Sequence, residues 1–338
     1  MRLNGMQRRL AIQMIASGVL MKSVAPRLAW ADDTVDAATF GVKGDGATND
    51  RVALQKAIDA SVGKTLVIGG RCRIDASGVE LRSGSRVRFR PGASIKLLWH
   101  DTPFYQIIRI WDVNDVVLEG AMLDGSKELN AAPAKRHEEG YGMGISVAGS
   151  ANVTIRSATT IGCWGDGVYI ANSYRPSATA PDGIRLVDHR AVGCRRQGVS
   201  IISGRDITIE RGVWEDIGGT APSAGLDIEP NSNRDVLENI RVVDPVTRRC
   251  KIGILVFLAQ LPGPRAKNVD IRISGHRDEN SADNAFSVSG LDTKGWIVKG
   301  RVESRGPTWV NSRLASVENV DYDKRGPAVV VTDLRLVR

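Results

Sequence analysis

Two acids stand two residues apart in Gly225-Leu-Asp-Ile-Glu-Pro-Asn231, and a third, Asp166, lies in Trp164-Gly-Asp-Gly-Val-Tyr-Ile170. In extended chain, side chains alternate between faces, so Asp227 and Glu229 share one face with Cα atoms about 6.5 to 7 Å apart. Crowded carboxyls separate in acidity: one pKa rises while the other group stays ionised. That is what glycosidic hydrolysis needs, a carboxylic acid to protonate the leaving oxygen and a carboxylate to activate water or attack the anomeric carbon. Asp166, Asp227 and Glu229 are therefore the candidate catalytic residues. Arg195, Arg196 and Gln197 fall on the repeat between the acids and Lys251 on the repeat after them. Guanidinium groups there suit an anionic sugar, bound bidentately. Trp164, Tyr169 and Tyr141 offer ring faces for a pyranose, and Asn231 and Glu139 complete the candidate binding set.

Each feature also has a plainer reading. Asp166-Gly167 is a common turn dipeptide. Asp227 and Glu229 also have a reading as a solvated strand face neutralised by Arg196 and Lys251, although an acidic pair in a column of Ser, Tyr and aliphatic residues is hard to call random. Trp164 reads as the cover of a turn edge, and His137-Glu138-Glu139 as a solvated polar loop.

The elements that must position these residues are repeats. Gly144-Ile-Ser-Val, Gly167-Val-Tyr-Ile, Gly198-Val-Ser-Ile, Gly225-Leu-Asp-Ile, Gly253-Ile-Leu-Val and Ala285-Phe-Ser-Val share one small-apolar-x-apolar pattern, starting 23, 31, 27, 28 and 32 residues apart. A second alternating series follows most of them, at Val153/Ile155, Ile184/Leu186, Ile207/Ile209, Ile240/Val242, Val269/Ile271 and Ile297/Val298. No helical period survives between residues 85 and 305, and Gly, Asn, Asp and Pro interrupt every eight to twelve residues. The spacing predicts an all-β fold, a right-handed parallel β-helix whose coils pair at about 4.8 Å. The residues after the leading small residue then face inward at the first and third places. The second and fourth face solvent, Asp227 and Glu229 among them. Thr48-Asn49-Asp50 ahead of Leu54, Ala57 and Ile58 predicts a capping helix over 49–61, coils over about 65–305, and a C-terminal cap over 306–338. Cys163 and Cys194 each precede their glycine by four residues and should stack on adjacent coils, as a disulfide or as a reduced ladder.

The chain has 338 residues, 42% of them hydrophobic, a net charge of +8, 36 Gly and four Cys. This excludes a disordered chain and a disulfide-stapled miniprotein. Residues 1–31 carry Arg2, Arg8, Arg9, Lys22 and Arg27, no acid, an apolar run from Leu10 to Met21, and Ala29-Trp30-Ala31. That is an export signal, of twin-arginine or general secretory type, too short to span a membrane. It predicts a periplasmic or secreted protein with a single domain over 32–338. Removing five cations leaves +3, which argues against a nucleic-acid partner. No cofactor is expected, and the sequence sets no oligomeric state.

Phe40-Gly-Val-Lys-Gly-Asp-Gly-Ala-Thr-Asn-Asp-Arg-Val-Ala-Leu-Gln-Lys-Ala-Ile58 resembles the entry segment of the pectate-lyase-like β-helix superfamily, with its rhamnogalacturonase- and epimerase-type domains, and the resemblance runs from about residue 38 to 304. The strings at Trp164, at Arg195-Arg-Gln-Gly-Val-Ser-Ile201 and at Gly225 resemble bacterial carbohydrate-active members. The resemblance implies an extracytoplasmic enzyme acting on polysaccharide. A glycoside hydrolase cleaving an acidic or bacterial exopolysaccharide is the first reading. The second is a lyase, in which Asp227 and Glu229 hold Ca²⁺ while Arg196 or Lys251 removes the proton α to a uronic carboxylate. A non-catalytic sugar-binding protein is the third. The chain lacks the Gly-His-Gly and Arg-Ile-Lys strings of polygalacturonases and the Asp-Pro-His-Glu string of mannuronan epimerases. These departures argue against galacturonan as substrate and against epimerisation.

Overall fold

The computed structural model describes residues 33–102, 104–129, 141–312, 316–317 and 326–338. The expected export signal, and Glu139 with His137 and Glu138, lie outside them. Among the described residues no helix is long and apolar enough to cross a membrane.

Among the described residues the chain winds through three parallel sheets of eleven, eleven and nine strands. Each strand pairs with the equivalent strand of the next coil, as in Val153↔Ile184 and Ile207↔Ile240 of the first sheet. Alternate Ile, Val and Leu side chains point into one continuous core, where Val168, Ile170, Val199, Ile201, Leu226 and Ile228 are fully buried. This is a parallel β-helix.

One backbone feature explains why turn residues recur so evenly. Gly120, Ser157, Asp188, Arg211, Asp244, Gly275 and Gly306 each follow a first-sheet strand, and all have left-handed φ between +50° and +68°. A single left-handed residue swings the chain into the second sheet, and Gly, Asp and Ser tolerate that conformation. Gly306, expected to end the coils, is therefore one more of these turns. Thr308–Val310 and Arg335–Val337 continue the second sheet and Ala328–Thr332 the first. The coils also begin early, since Thr34–Asp36 already pairs with Thr65–Val67.

The helix runs from Arg51 to Ala60 and buries Leu54, Ala57 and Ile58. Asp50 stands before it but makes no side-chain cap. Its carboxylate instead accepts hydrogen bonds from the Lys43 and Gly44 amides at 2.7 and 3.0 Å, fixing the turn ahead of the helix. All four cysteines are free thiols. Cys163 and Cys194 are both buried on adjacent coils, and the Cys163 thiol donates to the Ile161 carbonyl at 3.9 Å.

Candidate active site

The third sheet carries the acids. Its register places Glu80, Arg109, Ser146, Tyr169, Ser200, Asp227, Leu255 and Ser287 in one column, one residue per rung. A second column, Asp166 and Gln197, runs beside it. The glycine between the columns bends each strand: Gly167 and Gly198 have no ladder partner in registers that pair the residues on either side. The bend lets Asp166 and Gln197 point outward although the residue two places on points in.

The column was expected to face solvent. It lies on the outward side of the sheet, yet Ser146, Ser200, Asp166 and Asp227 are all completely buried. Larger polar side chains close over them. Arg196 grips Asp166 with two parallel bonds, Nε to Oδ1 and Nη2 to Oδ2, each 2.9 Å, and the Ser200 hydroxyl donates to Oδ2 at 2.9 Å. Burial opposes the Arg196 charge, but Asp166 and, behind it, Asp227 and Tyr169 hold its pKa above the usual guanidinium range. Both oxygens of Asp166 are thereby engaged.

Asp227 is different. Gln197 bridges it to the next strand, its Nε2 donating to Asp227 Oδ2 at 2.8 Å while its Oε1 accepts from the Ala224 amide at 2.8 Å. The other oxygen, Oδ1, receives no donor among the described residues. Burial pushes the Asp227 pKa well above the carboxylate range. The negative charge of Glu229 and a hydrogen bond to it push the same way, with Arg196 opposing. A proton on Asp227 donated to Glu229 satisfies all of these conditions. Glu229 is only half-buried, so the pair has one enclosed and one accessible member.

The remaining candidates divide. Tyr169 is close to the acids, with Arg196 and Asp166 in its field, and Asn231 is exposed. Trp164 is 4% exposed, its amide donates to the Tyr105 hydroxyl at 2.7 Å, and Arg195 lies over its ring at 4.5 Å. Its face is covered by the chain itself, so the plainer reading of Trp164 fits and pyranose stacking does not. Lys251 pairs with Asp283 at 3.7 Å, and both side chains are about half exposed. Tyr141 is exposed and stacks on Phe104, rings 5.2 Å apart. Ser200, Trp111 and Tyr174 are neighbours that the repeat pattern left unassigned, the last because it sits in an irregular connection. Among the described residues no group of three or more His, Cys, Asp or Glu has the arrangement of a metal site.

No family model matches this chain. An uncharacterized protein of Bacillus subtilis (strain 168), YclG, is 24% identical over 234 residues, 61% of this chain and 39% of that protein. The alignment thus spans well under half of the curated relative. Among solved structures, a 1,3-α-1,4-β-D-galactose-4-sulfate-3,6-anhydro-D-galactose-2-sulfate 4 galactohydrolase is similar over 92% of this chain and 89% of its own, with TM-score 0.68 and 12% identity. The endo-xylogalacturonan hydrolase of Aspergillus tubingensis has TM-score 0.56 and 15% identity over 90% of this chain and 93% of its own. The A-module of a mannuronan C-5 epimerase from Azotobacter vinelandii has 0.50 and 18% over 90% and 99%. The fold is thereby the pectin-lyase-type parallel β-helix.

Proposed function

We propose that this chain is an exported glycoside hydrolase that cleaves a polysaccharide bearing anionic groups, through the Asp227–Glu229 pair. The observation that carries the reading is a fully buried Asp227 whose Oδ1 meets no donor among the described residues and whose pKa is pushed up by burial and by the charge of the half-buried Glu229, on the outward side of a β-helix sheet. Asp227 holds the proton and hands it through Glu229 to the leaving oxygen as the glycosidic bond breaks; the pair then takes a proton from the water whose oxygen bonds to the anomeric carbon, which restores its starting state. Asp166 takes a positioning role in place of the catalytic one expected of it, since both its oxygens are engaged and it fixes Arg196. Arg196 and Gln197 shape the floor of the site, and Tyr169 with Asn231 forms its wall. That two of the similar structures are, by name, hydrolases of substituted galactans or galacturonans supports a carbohydrate substrate. The helix Arg51–Ala60 is the proposed cover of the first coil.

The lyase reading asks Arg196 or Lys251 to act as a base. Arg196 is held charged by Asp166, which disfavours it as the base and so favours hydrolysis. The test is a panel of alginate, polygalacturonate, sulfated galactan and bacterial exopolysaccharides, incubated with and without chelator and followed for reducing ends and for ultraviolet absorbance. New reducing ends without absorbance are expected. Unsaturated, absorbing ends would establish the lyase instead.

A further inference from the structure

Three rungs from Asp227 toward the N-terminus, the column reaches Ser146. At about 4.8 Å per rung this is about 14 Å, room for more than one glycosyl unit. Ser146 is fully buried beneath two aromatics. Trp111 Nε1 donates to its hydroxyl at 2.9 Å, and Tyr174 packs against Trp111. The two rings meet edge to face, centroids 5.0 Å apart at 66°. Arg109 lies against Trp111, 5.5 Å from the ring centroid, and is itself tied to Glu80 and the Ser77 carbonyl. Trp111 is thus fixed, while Tyr174 remains 60% exposed.

Beside these rings opens a cavity of about 420 Å³ lined by Glu80, Arg82, Trp111, Asp112, Tyr174 and Arg175. Its charges form two ion pairs, Arg82 with Glu80 at 3.1 Å and Arg175 with Asp112 at 3.0 Å. Two acids balance two cations, so the lining offers donors and acceptors with no net charge. A ring face beside paired donors and acceptors matches a pyranose, whose C–H face stacks while its hydroxyls both donate and accept. In the column, Tyr169 follows Ser146 and leads through Ser200 to Asp227, so the cavity stands on the same run of rungs as the acids.

We propose that this cavity is a second glycosyl subsite, which holds a pyranose unit by ring face and hydroxyls on the N-terminal side of the acid pair. The proposal rests on the reading of this face as a glycan-cleaving surface, and it adds that the polymer lies along the coil axis. The test is affinity electrophoresis of the full chain through gels containing alginate, polygalacturonate or sulfated galactan, together with KM on the polymer that is cleaved. Tyr174→Ala is expected to weaken retention and raise KM by roughly five- to tenfold, the effect of one lost ring contact. Tyr174→Phe, which keeps the ring, should stay within about twofold. Met122→Ala, at an exposed apolar side chain of the second sheet, serves as control and should migrate as wild type. Equal retention and equal KM for Tyr174→Ala and wild type overturn the subsite and leave the hydrolase standing. Weakened retention without cleavage of any glycan leaves the subsite standing and overturns the hydrolase. Absence of retention in every gel overturns both.

Discussion

A carboxyl that keeps its proton inside a folded protein leaves a mark on stability. Asp227 has its pKa raised in the fold, so the native state binds a proton that the unfolded chain releases above about pH 4. Stability from this group is fully present below that pH and is lost as pH rises toward the folded-state value. Asp227→Asn cannot ionise, so it is expected to gain melting temperature relative to wild type as pH rises from 4 to 8; a constant difference would contradict the shift. The opposite sign applies to His276, which burial pushes down to about 4 despite Asp278 beside it. Its contribution is complete above about pH 6.5 and disappears as pH falls through about 4. At Asp166 the expectation is structural. Asp166→Asn leaves Arg196 half-enclosed without its carboxylate, and a loss of about 3 kcal/mol in urea unfolding is expected, as for other broken buried pairs. The pairing of Asp227 with Glu229 was legible in the sequence because strand alternation alone sets it. The Asp166–Arg196 grip was not, because it depends on the bend at Gly167, which a two-residue period does not encode.

The elements show which glycines the coil needs. Gly144, Gly167, Gly198, Gly225 and Gly253 stack so closely that a methyl on any of them would approach the carbonyl oxygen of the next rung at 2.3 to 2.8 Å. For Gly198 the added carbon would lie 2.4 Å from the Gly225 oxygen and 2.7 Å from Trp214. Gly198→Ala is expected to cost about 1–3 kcal/mol through overpacking, whereas Gly218→Ala, with open space around it, should stay within about 0.5 kcal/mol. Equal urea midpoints for the two variants would contradict the stacked-glycine account. The small-apolar-x-apolar repeat announced this column in the sequence, and with it the parallel β-helix. The extent of the coils was less legible at both ends. Gly306-Pro307 looks like a break but is a regular left-handed turn, and Thr34–Asp36 is too short for alternation to register.

At the scale of the molecule, the acid pair and the Trp111–Tyr174 cavity lie along one sheet because every coil repeats the same register. A polymer can follow such a face rung by rung, which a closed pocket does not permit. The charge has the same lesson: five of the eight excess positives sit in residues 1–31, and the cations that matter are local ones, such as Arg196 at the acids. Export with cleavage after Ala31 is expected to yield a mature chain beginning at Asp32; N-terminal sequencing of the exported protein checks this. The central claim, that Asp227 and Glu229 together break a glycosidic bond, is tested most directly by reducing-end release from the polysaccharide panel by wild type, Asp227→Asn and Glu229→Gln. The account predicts release by wild type and a fall of about 10²-fold or more in each variant, the usual loss for a proton donor. Release that is unchanged in both variants would contradict it.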